Sequence, residues 1–111
     1  MELGISRDQL TTISMNVILH AGNARDLNMS ALDMLAKSDK DYDEIKRKMD
    51  SARKEINQAH KLQTDMIQLE ANDKEVPFSV LFIHAQDTLM TITSEVMMTE
   101  KIVTILKNLE E

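Results

Sequence analysis

Apolar residues recur at three- and four-residue steps along almost the whole chain, and the pattern is clearly broken only twice. That spacing gathers side chains on one side of an α-helix but scatters them over both faces of a strand, so it dictates helices. The first segment carries Leu10, Ile13, Val17, Ala21, Ala24, Leu27, Ala31 and Leu35. Ser6 and Gln9 have the spacing of a capping box, so this helix is predicted from about Arg7 to Lys37. Gly22, in its middle, costs about 1 kcal/mol relative to alanine and suggests close backbone packing or a small bend. Ser38-Asp39-Lys40-Asp41 is the first break, and Asp41 with Glu44 repeats the capping pattern. The second segment carries Ile45, Met49, Ala52, Ile56, Ala59, Leu62 or Gln63, and Met66. The second break spans Ala71 to Pro77, and a third helix is predicted to begin near Pro77 to Ser79, since proline is tolerated in a first turn. Its stripe runs through Phe82, Ala85, Leu89, Ile92, Val96, Val103 and Leu106.

Composition agrees. Two glycines and one proline in 111 residues cannot supply the turns of a sandwich or barrel. The fold class is all-α: one domain, residues 1–111, of three helices about 45 Å long in an antiparallel up-down-up bundle. No cysteine means no disulfide framework, no cysteine-ligated zinc and no thiolate nucleophile. A net charge of −6 and three aromatics argue against a nucleic-acid partner. The first ten residues lack the apolar core of a signal peptide, and no apolar run approaches the roughly 20 residues of a membrane span. The expectation is a cytoplasmic protein with no direct membrane insertion.

The third helix is apolar over more of its surface than two neighbours can cover. Leu81, Ile83, Met90, Met97, Met98, Ile102 and Ile105 lie beside its main stripe. A helix apolar nearly all round is usually buried on all sides, which predicts self-association with this helix near the symmetry axis; the alternative is a loosely packed Met-rich face with ordinary partial exposure. Polar residues interrupt it at His84-Ala85-Gln86-Asp87-Thr88. His84 and Asp87 share a face, continued by Thr88 and Thr91. His84 can be a hydrogen-bonded surface histidine, or a general base, a metal ligand or a phosphoryl acceptor. Asp87 can be a solvated carboxylate. On a three-fold axis it would instead meet its symmetry mates, and a hard divalent cation would relieve their repulsion. On the first helix, His20, Asn23 and Arg25 are candidates to line a groove beside His84. His60 and Gln63 read as buried hydrogen-bonding residues. No glycine-rich phosphate loop exists, so any phosphate handled here must arrive from another protein.

Three blocks together carry a resemblance that no single motif does: Ile18-Leu19-His20-Ala21-Gly22-Asn23-Ala24-Arg25, then Ala59-His60-x-x-Gln63-Thr64-x-x-Ile67-Gln68-x-Glu70, then His84-Ala85-Gln86-Asp87-x-Leu89-Met90-Thr91. Over nearly its whole length the chain resembles the lactose/cellobiose-type IIA component of the bacterial phosphoenolpyruvate-dependent sugar phosphotransferase system (PTS). The resemblance implies a homotrimer of three-helix subunits, a nine-helix assembly. It implies that His84 accepts a phosphoryl group from the phosphocarrier HPr and passes it to a cysteine of the cognate IIB component. Three copies of Asp87 would hold one divalent metal, Mg2+ by preference. Gln86 looks like the residue that steadies the phosphoryl group across a subunit boundary. The implied sugar is a β-linked disaccharide of lactose, cellobiose or chitobiose type. One departure stands out: where the family commonly has a second histidine, this sequence has Thr88, so that histidine's role does not carry over. A histidine phosphotransfer module of a signalling relay is the other helical carrier, but the Lys and Gly typical after its histidine are absent here. A non-catalytic helical-bundle interaction protein would explain the periodicity but not the His-Gln-Asp cluster.

Overall fold

The structure, a computed structural model, describes residues 4–110. It consists of α1 (Arg7–Leu35), α2 (Tyr42–Ala71) and α3 (Val80–Glu110), and no strand occurs among the described residues. All three helices arise where the apolar spacing puts them, and the start of each is set by a side-chain cap. Ser6 and Gln9 form the full capping box: the Gln9 backbone N–H donates to Ser6 Oγ (3.1 Å) and the Ser6 N–H to Gln9 Oε1 (2.8 Å). At α2 only half of the expected pattern forms. The Glu44 N–H donates to Asp41 Oδ1 at 3.1 Å, but the Glu44 carboxylate turns away to accept from Arg47 at 2.6 Å. Ser79, not Pro77, opens α3, its Oγ accepting from the Phe82 N–H at 3.0 Å.

The helix ends also differ slightly from the sequence reading. α1 stops at Leu35, two residues short of Lys37, where the Ala36 and Lys37 N–H groups bond back to Leu32 and Met34. α2 closes in a Schellman arrangement: the Asp73 N–H donates to the Glu70 carbonyl and the Lys74 N–H to the Leu69 carbonyl. Asp73 takes the left-handed φ of 61° that such a cap requires, one of the few conformations of this kind that an aspartate adopts readily. The segment before α1 is laid against this second turn. The Ile5 N–H donates to the Glu75 carbonyl at 3.0 Å, and a Cβ on Gly4 would stand 1.8 Å from that same oxygen. Only glycine permits this approach. Gly22 behaves otherwise: a Cβ there would meet nothing within 4 Å, so close packing within the chain does not explain it.

The core is a seam of small and branched residues. Val17, Ala21, Ala24 and Ala31 of α1 meet Ile45, Ala52, Ile56 and Ala59 of α2 and Ala85, Leu89, Ile92 and Val96 of α3, all essentially inaccessible to water. Gln63, not Leu62, takes the ambiguous core position of α2. It is buried but its Oε1 lacks a hydrogen-bond partner among the described residues, and both amide atoms of buried Asn28 do too. Alanines facing one another bring helix axes close, and α1 lies against both other helices, whereas α2 and α3 touch least. The result is a rod 61 Å long and about 20 Å across.

Side-chain contacts record how the helices run. Arg7 at the start of α1 donates to the Phe78 carbonyl just before α3 (3.0 Å), and Arg25 meets Glu95 further along both. Arg53 of α2 pairs with Glu100 of α3. Lys40, before α2, reaches Glu110 at the end of α3 (3.1 Å), and the Lys107 ammonium sits 5.6 Å over the Tyr42 ring.

That last corner is open to a direct test. Burial, with the Glu110 carboxylate nearby, pushes the Tyr42 phenol up to about 12. A phenol whose folded value is raised stabilises the fold fully below about pH 10, and the contribution fades as pH rises towards the folded value. Tyr42 is the sole tyrosine and there is no tryptophan, so tyrosinate absorbance follows it alone. The expected midpoint is about 12 in the folded protein. Glu110→Gln should lower it only partly, because burial is the larger cause. A midpoint near the ordinary value of about 10 would contradict this packing.

Candidate functional site

An α-helix turns by about 100° per residue, so neighbours in sequence can serve different sides of α3. The flank facing α1 is marked by Glu95, which binds Arg25 in bidentate fashion at 3.1 and 2.7 Å. His84 stands eleven residues before Glu95, about three full turns, and therefore shares that flank. The flank facing α2 is marked by Gln86, which lines a cavity of about 300 Å³ with Met66, Ile67, Glu70, Phe78 and Phe82. Between the two flanks lies a face that no other described residue covers. Ile83, Met90, Met97, Met98, Ile102 and Ile105 are each 39% exposed or more, with Asp87 exposed in their midst.

His84 is exposed, one turn into α3, and its side chain leans back towards the helix start. Backbone N–H groups at a helix start are only partly satisfied and carry partial positive charge, which suits an anion. Gln86 is half-buried and on the other flank, so the backbone of one chain cannot bring His84 and Gln86 to the same point. Asp87 is exposed on the open face. No cluster of three or more His, Cys, Asp or Glu suited to a metal occurs among the described residues. A lone carboxylate is an oxygen donor of the type that hard cations take, one of the several such a cation needs. Thr88 is half-buried beside the His84 flank.

The groove expected beside His84 from α1 does not form within the chain. His20 Nδ1 lies 2.6 Å from Glu55 Oε2, and Asn23 Nδ2 donates to Glu55 Oε1 at 3.4 Å, so both face α2. Arg25 is held by Glu95, about 16 Å along α3 from His84 at 1.5 Å per residue. The Glu95 carboxylate, by hydrogen bonding and then by charge, raises the guanidinium above its ordinary value. His60 is half-buried in a cleft between α2 and α3 with Arg53, Asn57, Thr64, Gln68 and Thr93. The sequence reading did not anticipate the carboxylates Glu55 and Glu95 that occupy these cations and amides. Glu95 carried one signal, its eleven-residue step from His84; Glu55 carried none.

An all-α rod with an exposed histidine and an uncovered apolar face leaves both open to other molecules. Comparison with known proteins gives the family. Residues 12–107 match the family described as PTS system, Lactose/Cellobiose specific IIA subunit, and the chain belongs to this family. It is 34% identical over 104 residues to the lichenan-specific phosphotransferase enzyme IIA component of Bacillus subtilis, covering 94% of this chain and 93% of that relative. It is 34% identical over 84 residues to the N,N'-diacetylchitobiose-specific EIIA component of Escherichia coli, covering 76% and 71% of the two. Its structure resembles the crystal structure of the PTS cellobiose-specific enzyme IIA from Bacillus anthracis with a TM-score of 0.81 at 34% identity, over 96% and 94% of the two chains. No helix among the described residues is long and apolar enough to cross a membrane.

The geometry ranks the histidines by reactivity. Diethylpyrocarbonate should modify exposed His84 first, ahead of half-buried His60 and of His20, whose Nδ1 is engaged by Glu55. Peptide mass spectrometry over a time course reads the order, and His20 reacting before His84 would contradict it.

Proposed function

We propose that the chain is the phosphoryl carrier of a sugar phosphotransferase system, with His84 as the group that is phosphorylated. The observation that carries this reading is His84 itself: an exposed imidazole on a helix of the family's IIA fold, in the His-Ala-Gln-Asp block. The donor is a phosphohistidine of HPr. Its P–N bond breaks as a ring nitrogen of His84 forms a new one, and the phosphoryl group then leaves for the thiolate of a IIB component. Such transfers pass through a loose transition state, so the protein acts mainly by positioning and by stabilising charge. The start of α3 supplies partial positive charge near the oxygens. Thr88 offers one hydroxyl on the same flank. The net charge of −6 favours encounter with a basic donor surface, an attraction that salt weakens. The names of the relatives support a β-linked disaccharide of lactose, cellobiose or chitobiose type as the sugar served, and the work is that of a cytoplasmic protein.

The same reading makes the functional unit a homotrimer of up-down-up bundles. The cross-helix contacts support the bundle, in which α1 and α3 run alike and α2 against them. The uncovered face of α3 supports the trimer. Closing three copies about that face brings three Asp87 carboxylates together, and a divalent cation such as Mg2+ would be held by them and would offset their repulsion.

Two experiments test these points. Phosphoenolpyruvate, enzyme I and HPr should add one phosphate per chain, and His84→Ala should remove it. Persistence of the label in that variant would overturn the site. For Asp87, a chelator should weaken the assembly by leaving three facing charges, whereas Asp87→Leu should hold or strengthen it by replacing them with apolar contacts. Sedimentation that is unmoved by chelator would refute the metal's role.

A further inference from the structure

The carrier reading leaves the imidazole of His84 without a partner that fixes its tautomer. A reacting histidine is ordinarily held by a carboxylate or carbonyl on its second ring nitrogen, which orients the ring and leaves the first nitrogen nucleophilic. Among the described residues no hydrogen bond or ion pair engages the His84 ring. Of the carboxylates on α3 itself, Glu95 holds Arg25 about three turns further along, and Asp87 lies on the open face.

A free carboxylate of the right kind stands on the opposite flank. Glu70, in the last turn of α2, lines the cavity that Gln86 also lines, together with Ile67, Phe78 and Phe82. It is exposed, and no hydrogen bond or ion pair engages its side chain among the described residues. The two ends of this arrangement sit at one height along the rod, because α2 runs against α3. Arg53 lies level with Glu100 and Tyr42 with Lys107, which puts the 67–70 stretch of α2 level with the 83–86 stretch of α3.

Rotation of identical copies about the Asp87 face has a fixed consequence. A cyclic ring is heterologous, so the α1 flank of each α3 turns towards the α2 flank of the next. His84 of one copy then faces the cavity of its neighbour at the same height. Resting on the carrier and ring reading above, in which the site is shared between copies, we infer that Glu70 of the neighbouring copy is the positioning residue that accepts the second N–H of the His84 ring. The apolar lining of the cavity shields that hydrogen bond from water and strengthens it. No atom of Glu70 enters the transfer. It holds the N–H throughout, while the phosphoryl group comes and goes at the other ring nitrogen.

Subunit complementation tests this. Glu70→Ala and Glu70→Gln should each slow phosphoryl transfer roughly tenfold or more, the scale of losing a group that orients a reacting imidazole. The 15N shifts of the His84 ring should move towards the tautomer mixture of a free histidine. His84→Ala alone is inactive. When His84→Ala and Glu70→Ala chains are unfolded together and refolded as an equal mixture, about half of the His84-bearing chains gain a neighbour with Glu70 in a randomly assembled ring. Transfer should then rise well above that of either variant alone. Mixed oligomers on native mass spectrometry with no recovery would overturn the inference while leaving the ring intact. So would a Glu70→Ala chain that transfers at the full rate. A fully active monomer would instead overturn the ring reading on which the inference stands.

Discussion

A helix in a three-helix bundle can bury only the part of its circumference that its two neighbours reach, and α3 is apolar well beyond that part. Its inner side, from Ala85 to Val96, is sealed against α1 and α2. Its outer side still presents Met90, Met97 and Met98, each about half exposed or more. An apolar surface of this extent along one helix is what the proposed contact between copies would cover. The proposed ring, the placing of Asp87 and the sharing of a site between copies all follow from this one mismatch between what α3 offers and what the chain covers. Methionine suits the role, since its unbranched, polarisable side chain adapts to a partner surface.

The interior works towards the same end. Alanines along the α1 seam bring the helices close and leave little freedom for one to slide on another. Long helices capped at Ser6, Asp41 and Ser79 hold their side chains at fixed heights. Transfer of a phosphoryl group between proteins needs such a rigid platform, because positioning supplies much of the rate. Two clefts open along the looser seam between α2 and α3, one beside Gln86 and one beside His60.

Much of this was legible in the residues before any coordinates. Periodicity reports how far a side chain lies from the helix axis of the bundle, so the three helices, the core positions and the overexposed face of α3 were all readable. Ser6 with Gln9 announced its own geometry because a capping box is local. What lay out of reach was the rotation and height of one helix against another. His20, Asn23 and Arg25 look like one cluster in sequence, yet a step of a few residues turns them to different neighbours, Glu55 on one side and Glu95 on the other. Glu44 shows the same limit on a smaller scale, since Arg47 outcompetes the cap for its carboxylate. The His-Gln-Asp block was visible as a cluster. That His84 and Gln86 diverge to opposite flanks follows from the helix itself, but which neighbour each flank meets needed the bundle.

The account turns on whether the open face of α3 is covered by further copies of the chain. Sedimentation equilibrium over a range of concentrations measures this directly. The mass should be three times the 12.7 kDa of one chain. A single species of 12.7 kDa at every concentration would contradict the account.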